Sequence, residues 1–139
     1  MKPDDPAPPT VIVIVAAIIE DEDGRLLLVR KRGTDRFMQP GGKIDPGETA
    51  AEALIRELRE ELTLVVTPAD LVYLGRFDAP AANEAGHVVD AEIFFVTAGG
   101  QAVASAEIEE LIWMSPADAA SVALAPLTVD VLMPVLAAR

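Results

Sequence analysis

The chain has 139 residues, 51% of them hydrophobic, a length that suits a single domain with its own buried core. It contains no cysteine and one histidine, which excludes disulfides, cysteine-ligated metals and thiol nucleophiles and argues against a serine–histidine–aspartate triad. A net charge of −12 repels nucleic acid polymers and anionic membranes, so we expect neither as a partner.

The chain begins with an acidic, proline-rich leader over residues 1–10, which we expect to be disordered, ahead of one domain over residues 11–139. Val11–Ile19 and Arg25–Lys31 are rich in aliphatic residues and flank the turn sequence Asp21–Gly24, which predicts an antiparallel hairpin. The first apolar run has only nine residues and no basic flank. It is too short to cross a bilayer and unlike a signal peptide, so we expect a cytoplasmic protein.

The clearest predicted helix covers Thr49–Leu62. Its core face is formed by leucines four residues apart, Leu54, Leu58 and Leu62. Thr49 suits the N-cap, and Glu52 three residues later completes a capping box. This helix therefore has both a start signal and an apolar face that packs on a core.

The rest of the chain alternates between further strands and helices. Strands are predicted at Leu71–Phe77, Val88–Thr97 and Ile108–Met114, and helices at Pro116–Ser121 and Leu127–Ala138, the latter interrupted at Pro134. This order of elements predicts an α+β fold, an α/β/α sandwich with a mixed sheet between helices.

Charge is unevenly distributed along the chain. Eight of the eleven basic residues lie between Arg25 and Arg59, and none lies between Phe77 and Ala138. An acidic protein that concentrates its cations in one stretch is expected to use them locally, although single cations on a surface are common.

Three carboxylates occupy one face of the predicted helix, because Glu57, Glu60 and Glu61 follow i, i+3, i+4 spacing. Such a face is either a solvated acidic surface or a site for a hard divalent cation such as Mg²⁺ or Mn²⁺. Gly41 and Gly42 allow close backbone approach to a ligand. We further expect an ion pair across the loop–helix junction, between Glu48 and Arg56.

The surrounding residues favour the functional interpretation. The stretch fits the pattern G-x5-E-x7-R-E-U-x-E-E-x-G-U, where U is aliphatic, with these residues: Gly42, Glu48, Arg56, Glu57, Leu58, Glu60, Glu61 and Leu64. Thr63 stands where the pattern has glycine. This segment resembles the Nudix box of the Nudix hydrolases, and the lead-in from Pro40 to Glu48 resembles that family as well.

The resemblance implies a Nudix fold and hydrolysis of a nucleoside diphosphate linked to another moiety, by water attack at phosphorus with Mg²⁺, for which Mn²⁺ can substitute. It implies these metal ligands: the Gly41 carbonyl, Glu57, Glu60, Glu61 and Glu107. The implied catalytic residues are Glu57, Glu60, Arg56 and Glu107, with Arg56 orienting a carboxylate. Glu107 is included because it stands six residues before Trp113, as a glutamate does in MutT-like members; Glu109 and Glu110 are rivals.

The cationic residues assigned to the substrate phosphates are Arg30, Arg32, Arg36 and Lys43. The expected substrate is a nucleoside triphosphate, including oxidised or non-standard nucleotides, cleaved by a MutT-like pyrophosphohydrolase acting as a monomer or homodimer. ADP-ribose or a nucleotide sugar is the alternative, supported by Pro80 sixteen residues after Leu64. The alternative of another class is a non-catalytic nucleotide-binding module. The charged positions of the box are all intact, which argues against it.

Overall fold

The computed structural model describes residues 10–81, 86–98, 101–119 and 121–137. Its strands are β1 (Thr10–Ile18), β2 (Leu26–Lys31), β3 (Gly41–Lys43), β4 (Leu71–Pro80), β5 (His87–Val96) and β6 (Ile108–Met114). Its helices are α1 (Ala50–Leu62), a 3₁₀ turn (Pro68–Asp70), α2 (Pro116–Ala119) and a C-terminal helix made of a π-helical turn (Leu127–Leu132) and α3 (Met133–Ala137).

The main sheet is mixed and has the strand order β3-β1-β5-β4. Strand β1 runs parallel to β5 and antiparallel to β3, whereas β2 and β6 form a separate antiparallel pair. Alternate side chains of β1 face opposite layers: Val15 and Ala17 pack toward α1, and Ala16 and Ile18 pack toward the C-terminal helix. The predicted α+β sandwich is therefore confirmed.

Helix α1 forms as its sequence predicts. The Thr49 hydroxyl accepts a hydrogen bond from the Glu52 N–H at 3.1 Å, and the Glu52 carboxylate accepts one from the Thr49 N–H at 3.0 Å. The leucine stripe is fully buried. At the other end, Thr63 adopts the left-handed conformation usual for glycine, with φ 55°, and its N–H donates to the Arg59 carbonyl at 3.1 Å.

The predicted hairpin between the first two strands is wrong beyond its turn. The strands meet through one bridge, Glu20 with Leu26, and through the Leu27 N–H, which donates to the Ile19 carbonyl at 3.0 Å. The remaining ladder of β2 pairs with β6, while β1 is flanked by β3 and β5. Long-range pairing thus replaced the local pairing that the turn sequence favoured.

The other predicted elements differ mainly at their ends. Strand β4 extends to Pro80, α2 ends at Ala119, and the C-terminal helix changes from π-helical to α-helical at Met133, next to Pro134. Nine of the ten residues of the predicted leader lie outside the described residues, and Thr10 begins β1. In the described part of the chain, no helix is long and apolar enough to cross a membrane.

Candidate active site

Gly41 and Gly42 allow the start of β3 to lie very close to both β1 and α1. A Cβ atom at Gly41 would lie 2.0 Å from the Val15 carbonyl oxygen, so only glycine fits there. A Cβ atom at Gly42 would lie 2.5 Å from the Cδ atom of Glu57. The Gly42 backbone and the Glu57 carboxylate therefore lie in close contact, which agrees with the expected close backbone approach at this glycine pair.

Arg56 ties the loop before α1 to the helix. Its Nε and Nη2 atoms donate to the two oxygens of Glu48, both at 2.8 Å, and its Nη1 atom donates to Glu57 Oε1 at 2.8 Å. The Arg56 guanidinium is the main cause that lowers the pKa of Glu48 to about 2. The ion pair between Glu48 and Arg56 forms as expected, and Arg56 also orients Glu57.

Glu61 is the carboxylate whose charge is left uncompensated. Its side chain is 3% exposed, and its Oε2 atom has no hydrogen-bond partner. The pKa of Glu61 is raised to about 8, mainly by burial; Lys31 opposes the shift, and the Glu57 and Glu107 carboxylates add to it. A buried carboxylate in this state is strongly destabilising unless it becomes protonated or gains a cation.

This donor set fits a divalent metal ion. The unpaired Glu61 oxygen, the adjacent Glu57 carboxylate and the carbonyl groups of the glycine pair offer oxygen atoms, which Mg²⁺ and Mn²⁺ prefer. Among the described residues, no three acidic or histidine side chains already form a metal-binding group. The carboxylates would therefore have to converge on the ion.

The Glu60 and Glu107 side chains are both exposed, but they have different partners. The Glu60 side chain is 52% exposed, and its Oε2 atom lies 3.4 Å from Arg56 Nη1. The Glu107 carboxylate lies 3.4 Å from Lys31 Nζ and is close enough to Glu61 to influence its pKa. Of the two, Glu107 is therefore the one that the fold directs toward the buried carboxylate.

The loop that carries Glu107 is fastened to the end of α1. The Ser105 N–H donates to the Glu61 carbonyl at 2.8 Å, and the Val103 N–H donates to the Leu62 carbonyl at 2.9 Å. Ala106, just before Glu107, has a φ of 53°, a conformation that is uncommon for residues other than glycine. These hydrogen bonds thus fix the position of the Glu107 loop relative to the carboxylates of α1.

The two rivals of Glu107 are paired elsewhere. Glu109 accepts from Arg32 Nε at 3.2 Å, and Glu110 accepts from Arg30 Nε at 2.9 Å. Neither is among the groups that shift the pKa of Glu61. The structure therefore brings Glu107, rather than its rivals, to the carboxylates of α1.

Of the four cations assigned to substrate phosphates, Lys43 lies at the cleft described below, and the other three face other partners. Arg30 also donates to the Thr34 carbonyl at 2.8 Å, and Arg36 donates to the Leu124 carbonyl at 3.1 Å. Lys31, which belongs to the same basic stretch of the sequence, lies beside Glu107 and lines the cleft as well. Strand alternation predicts this, because Lys31 continues the α1-facing row of Leu27 and Val29.

A cleft of about 150 Å³ opens beside the glycine pair. Its walls are mostly aliphatic and come from β1, β3 and the segment that begins the C-terminal helix. Its polar side chains are Lys31, Gln39, Lys43 and Thr128. Gln39 and Thr128 were missed in the sequence analysis. They lie 89 residues apart, and the fold brings their side chains into hydrogen-bonding contact.

The glycine turn lies against Glu57, and the ion pair between Glu48 and Arg56 joins the loop to α1. Comparison with known families agrees with the box pattern: the NUDIX domain matches residues 10–133. The chain belongs to the NUDIX domain family. The resemblance seen in the sequence is thus confirmed over nearly the whole domain.

Relatives within this family act on different substrates. A CTP pyrophosphohydrolase of Escherichia coli is 33% identical over 126 residues, which cover 86% of this chain and 87% of that protein. An ADP-ribose pyrophosphatase of Methanocaldococcus jannaschii is 34% identical over 93 residues, which cover 65% of this chain and 54% of that protein. The chain spans between 54% and 60% of the length of two of the curated relatives that it matches.

A solved structure extends the likeness to three dimensions. The E. coli ORF135 protein superposes with a TM-score of 0.72 at 32% identity, covering 94% of each chain. Strands and helices of the two proteins therefore follow the same path, and the Nudix fold expected from the sequence is confirmed.

Proposed function

We propose that this chain is a divalent-metal-dependent hydrolase that cleaves nucleoside triphosphates to a nucleoside monophosphate and pyrophosphate. The observation that carries the proposal is the buried carboxylate of Glu61, whose Oε2 atom has no hydrogen-bond partner, next to Glu57 and within electrostatic reach of Lys31 and Glu107. A site that gathers negative charge without compensating it is built for a cation, and a cleft lies beside it.

The metal ligands in this proposal are Glu57 and Glu61, joined by Glu60, Glu107 and the Gly41 carbonyl as the carboxylates converge. When bound, Mg²⁺ supplies charge neutralisation at phosphate oxygens and lowers the pKa of water. Arg56 holds Glu57 in place through the 2.8 Å hydrogen bond and lies 3.4 Å from Glu60, so Glu60 would have to turn away from Arg56 to reach the ion.

Two lysines are proposed to bind the phosphates of the substrate. Lys31 and Lys43 line the cleft and attract the polyphosphate, which the net charge of −12 otherwise repels. Arg30, Arg32 and Arg36 are engaged with Glu110, Glu109 and a backbone carbonyl, so their proposed part in substrate binding requires those contacts to break.

Proton transfer requires a carboxylate near the attacking water. The Glu107 side chain is 61% exposed and sits on a loop fixed to α1, so it is the best candidate to accept the proton as water attacks phosphorus. Glu57 and Glu60 remain alternatives for this role. The leaving pyrophosphate departs with the electrons of the broken P–O bond.

A nucleoside triphosphate is favoured over ADP-ribose because a CTP pyrophosphohydrolase is among the relatives and the chain covers 87% of its length, against 54% for the ADP-ribose pyrophosphatase. The test is a panel of nucleoside triphosphates, including oxidised ones, together with ADP-ribose, nucleotide sugars and dinucleoside polyphosphates. Each is assayed with Mg²⁺, with Mn²⁺ and with a chelator, and products are separated by ion-exchange chromatography.

We expect nucleoside monophosphate and pyrophosphate from at least one triphosphate, and no turnover with chelator. Preferential cleavage of ADP-ribose would replace the proposed substrate with the alternative. Tight nucleotide binding without turnover under any metal condition would identify a binding module and overturn the enzymatic proposal.

A further inference from the structure

The Gln39 side chain is unusually placed for a buried amide. The residue is 6% exposed, and its Nε2 atom has no hydrogen-bond partner in the described part of the chain. A buried N–H group without a partner costs stability. Such a group in the wall of a cleft is a position where a ligand acceptor can restore the missing hydrogen bond.

Thr128 fixes which end of the amide is left unpaired. Its hydroxyl donates to Gln39 Oε1 at 2.6 Å, and Thr128 is itself fully buried. The Gln39 carbonyl is therefore occupied, and the NH₂ group is the end that remains available. Both residues line the same cleft.

The cleft joins the carboxylate site at Gly42, which both lines the cleft and contacts Glu57. A substrate whose phosphates lie at the carboxylates can therefore extend its organic group toward Gln39. The volume of about 150 Å³ is below the ~300–1,000 Å³ of pockets that enclose whole drug-sized ligands. It suits one flat ring system between aliphatic walls.

We propose that Gln39, oriented by Thr128, is a specificity-determining residue that donates from Nε2 to a carbonyl oxygen of the substrate base. The inference rests on the proposed function, since it assumes a nucleotide in the cleft. Because none of the described side chains that line the cleft is aromatic, stacking contributes little and this hydrogen bond carries more of the selection.

The test compares substrates that differ at one group of the base. CTP and UTP differ in an exocyclic amine against a carbonyl, together with the hydrogen on the neighbouring ring nitrogen, and ATP and ITP differ in the same way. Ribose 5-triphosphate, which has no base, reports on the phosphate end alone. Wild-type protein should prefer the carbonyl-bearing member of at least one pair.

Gln39→Met keeps the size of the side chain and removes the donor. It should lower kcat/KM for the preferred nucleotide about tenfold, as expected for one hydrogen bond, and abolish the preference, with ribose 5-triphosphate unaffected. Gln39→Glu removes the donor but keeps an acceptor and should shift the preference toward the amine-bearing member. Gln101→Met changes the other, exposed glutamine and serves as the matched control.

Thr128 variants separate positioning from folding. Thr128→Val removes the hydroxyl that orients the amide and should weaken discrimination between paired nucleotides more than it lowers kcat. Thr128→Ser keeps the hydroxyl and should restore discrimination. Equal loss of activity on nucleotides and on ribose 5-triphosphate would show that these residues only support the fold, and would overturn the proposal.

Failure of the proposed function is detected separately. The same pairs are measured by calorimetry as dissociation constants, with wild type and with the Gln39 variants, so that discrimination is observed even without turnover. Discrimination lost in Gln39→Met supports the inference whether or not the chain is an enzyme. Discrimination unchanged in Gln39→Met, or no nucleotide binding at all, overturns it.

Discussion

The two ends of the carboxylate face of α1 contrast in how their charges are satisfied. At the end near the preceding loop, Glu48 and Arg56 form a bidentate pair at 2.8 Å, and Arg56 also holds Glu57. One turn further on, Glu61 is buried with an unpaired oxygen. The paired end joins the loop to the helix, and the unpaired end is the part that we propose binds a cation.

The largest effect on activity is expected from substitutions at the unpaired end. Glu61→Gln should lower kcat by at least about 10²-fold, because it removes one carboxylate from the proposed metal site. Glu60→Gln is expected to follow the same direction. Glu48→Gln, at the paired end, should lower kcat less than about tenfold. Steady-state kinetics with saturating Mg²⁺ compares the three, and equal losses in all of them would remove the distinction between the two ends.

A second comparison uses the three glutamates near β6. Glu107→Gln should lower kcat by about 10–100-fold, since this carboxylate faces Lys31 and Glu61. Glu109→Gln and Glu110→Gln should have little effect, because their partners are the outward-facing Arg32 and Arg30. Near-wild-type rates in all three variants would restrict the catalytic carboxylates to those of α1.

At the unpaired end, Glu61→Gln should lower activity but raise the stability of the metal-free protein. The pKa of Glu61 is about 8 in the folded chain against an ordinary value of 4.5, so the metal-free protein should lose stability as pH rises between these values. Glu61→Gln should therefore raise the free energy of unfolding at pH 8, by on the order of 2 kcal/mol, in the presence of a chelator. Thermal denaturation at pH 5 and pH 8 measures this; a variant destabilised at pH 8 would contradict it.

The smallest effect concerns the paired end. The pKa of Glu48 is lowered from 4.5 to about 2, so its contribution to stability should be present above pH 4.5 and lost as pH falls toward 2. Glu48→Gln should unfold a few degrees below wild type at pH 7, and the two melting curves should converge in acid. A constant difference across this range would mean that the pair with Arg56 does not stabilise the fold.

The same contrast shows what could be predicted from the sequence. Helix α1 was predictable because its capping box and leucine stripe are local signals, and the ends of β6 were marked by neighbouring polar and proline residues. The partners of β1 and β2 were not predictable, since pairing with β5 and β6 depends on residues far along the chain.

For the site, the box pattern predicts which carboxylates bind metal but not which one is buried with an unpaired oxygen. That property of Glu61 depends on packing by the rest of the domain. Lys31 could be predicted, because it belongs to the basic stretch and alternates with Leu27 and Val29 along the strand. The contact between Gln39 and Thr128 could not, because a pair 89 residues apart leaves no periodic signal.

Direct measurement of metal binding tests the central claim that the unpaired end of the helix face is a divalent cation site. Mn²⁺ binding is followed by electron paramagnetic resonance for wild type, Glu61→Gln and Glu48→Gln, without nucleotide. We predict that wild type and Glu48→Gln bind Mn²⁺ similarly and that Glu61→Gln binds at least about tenfold more weakly, in line with the loss of one charged ligand. Wild-type Mn²⁺ affinity in Glu61→Gln would contradict the account.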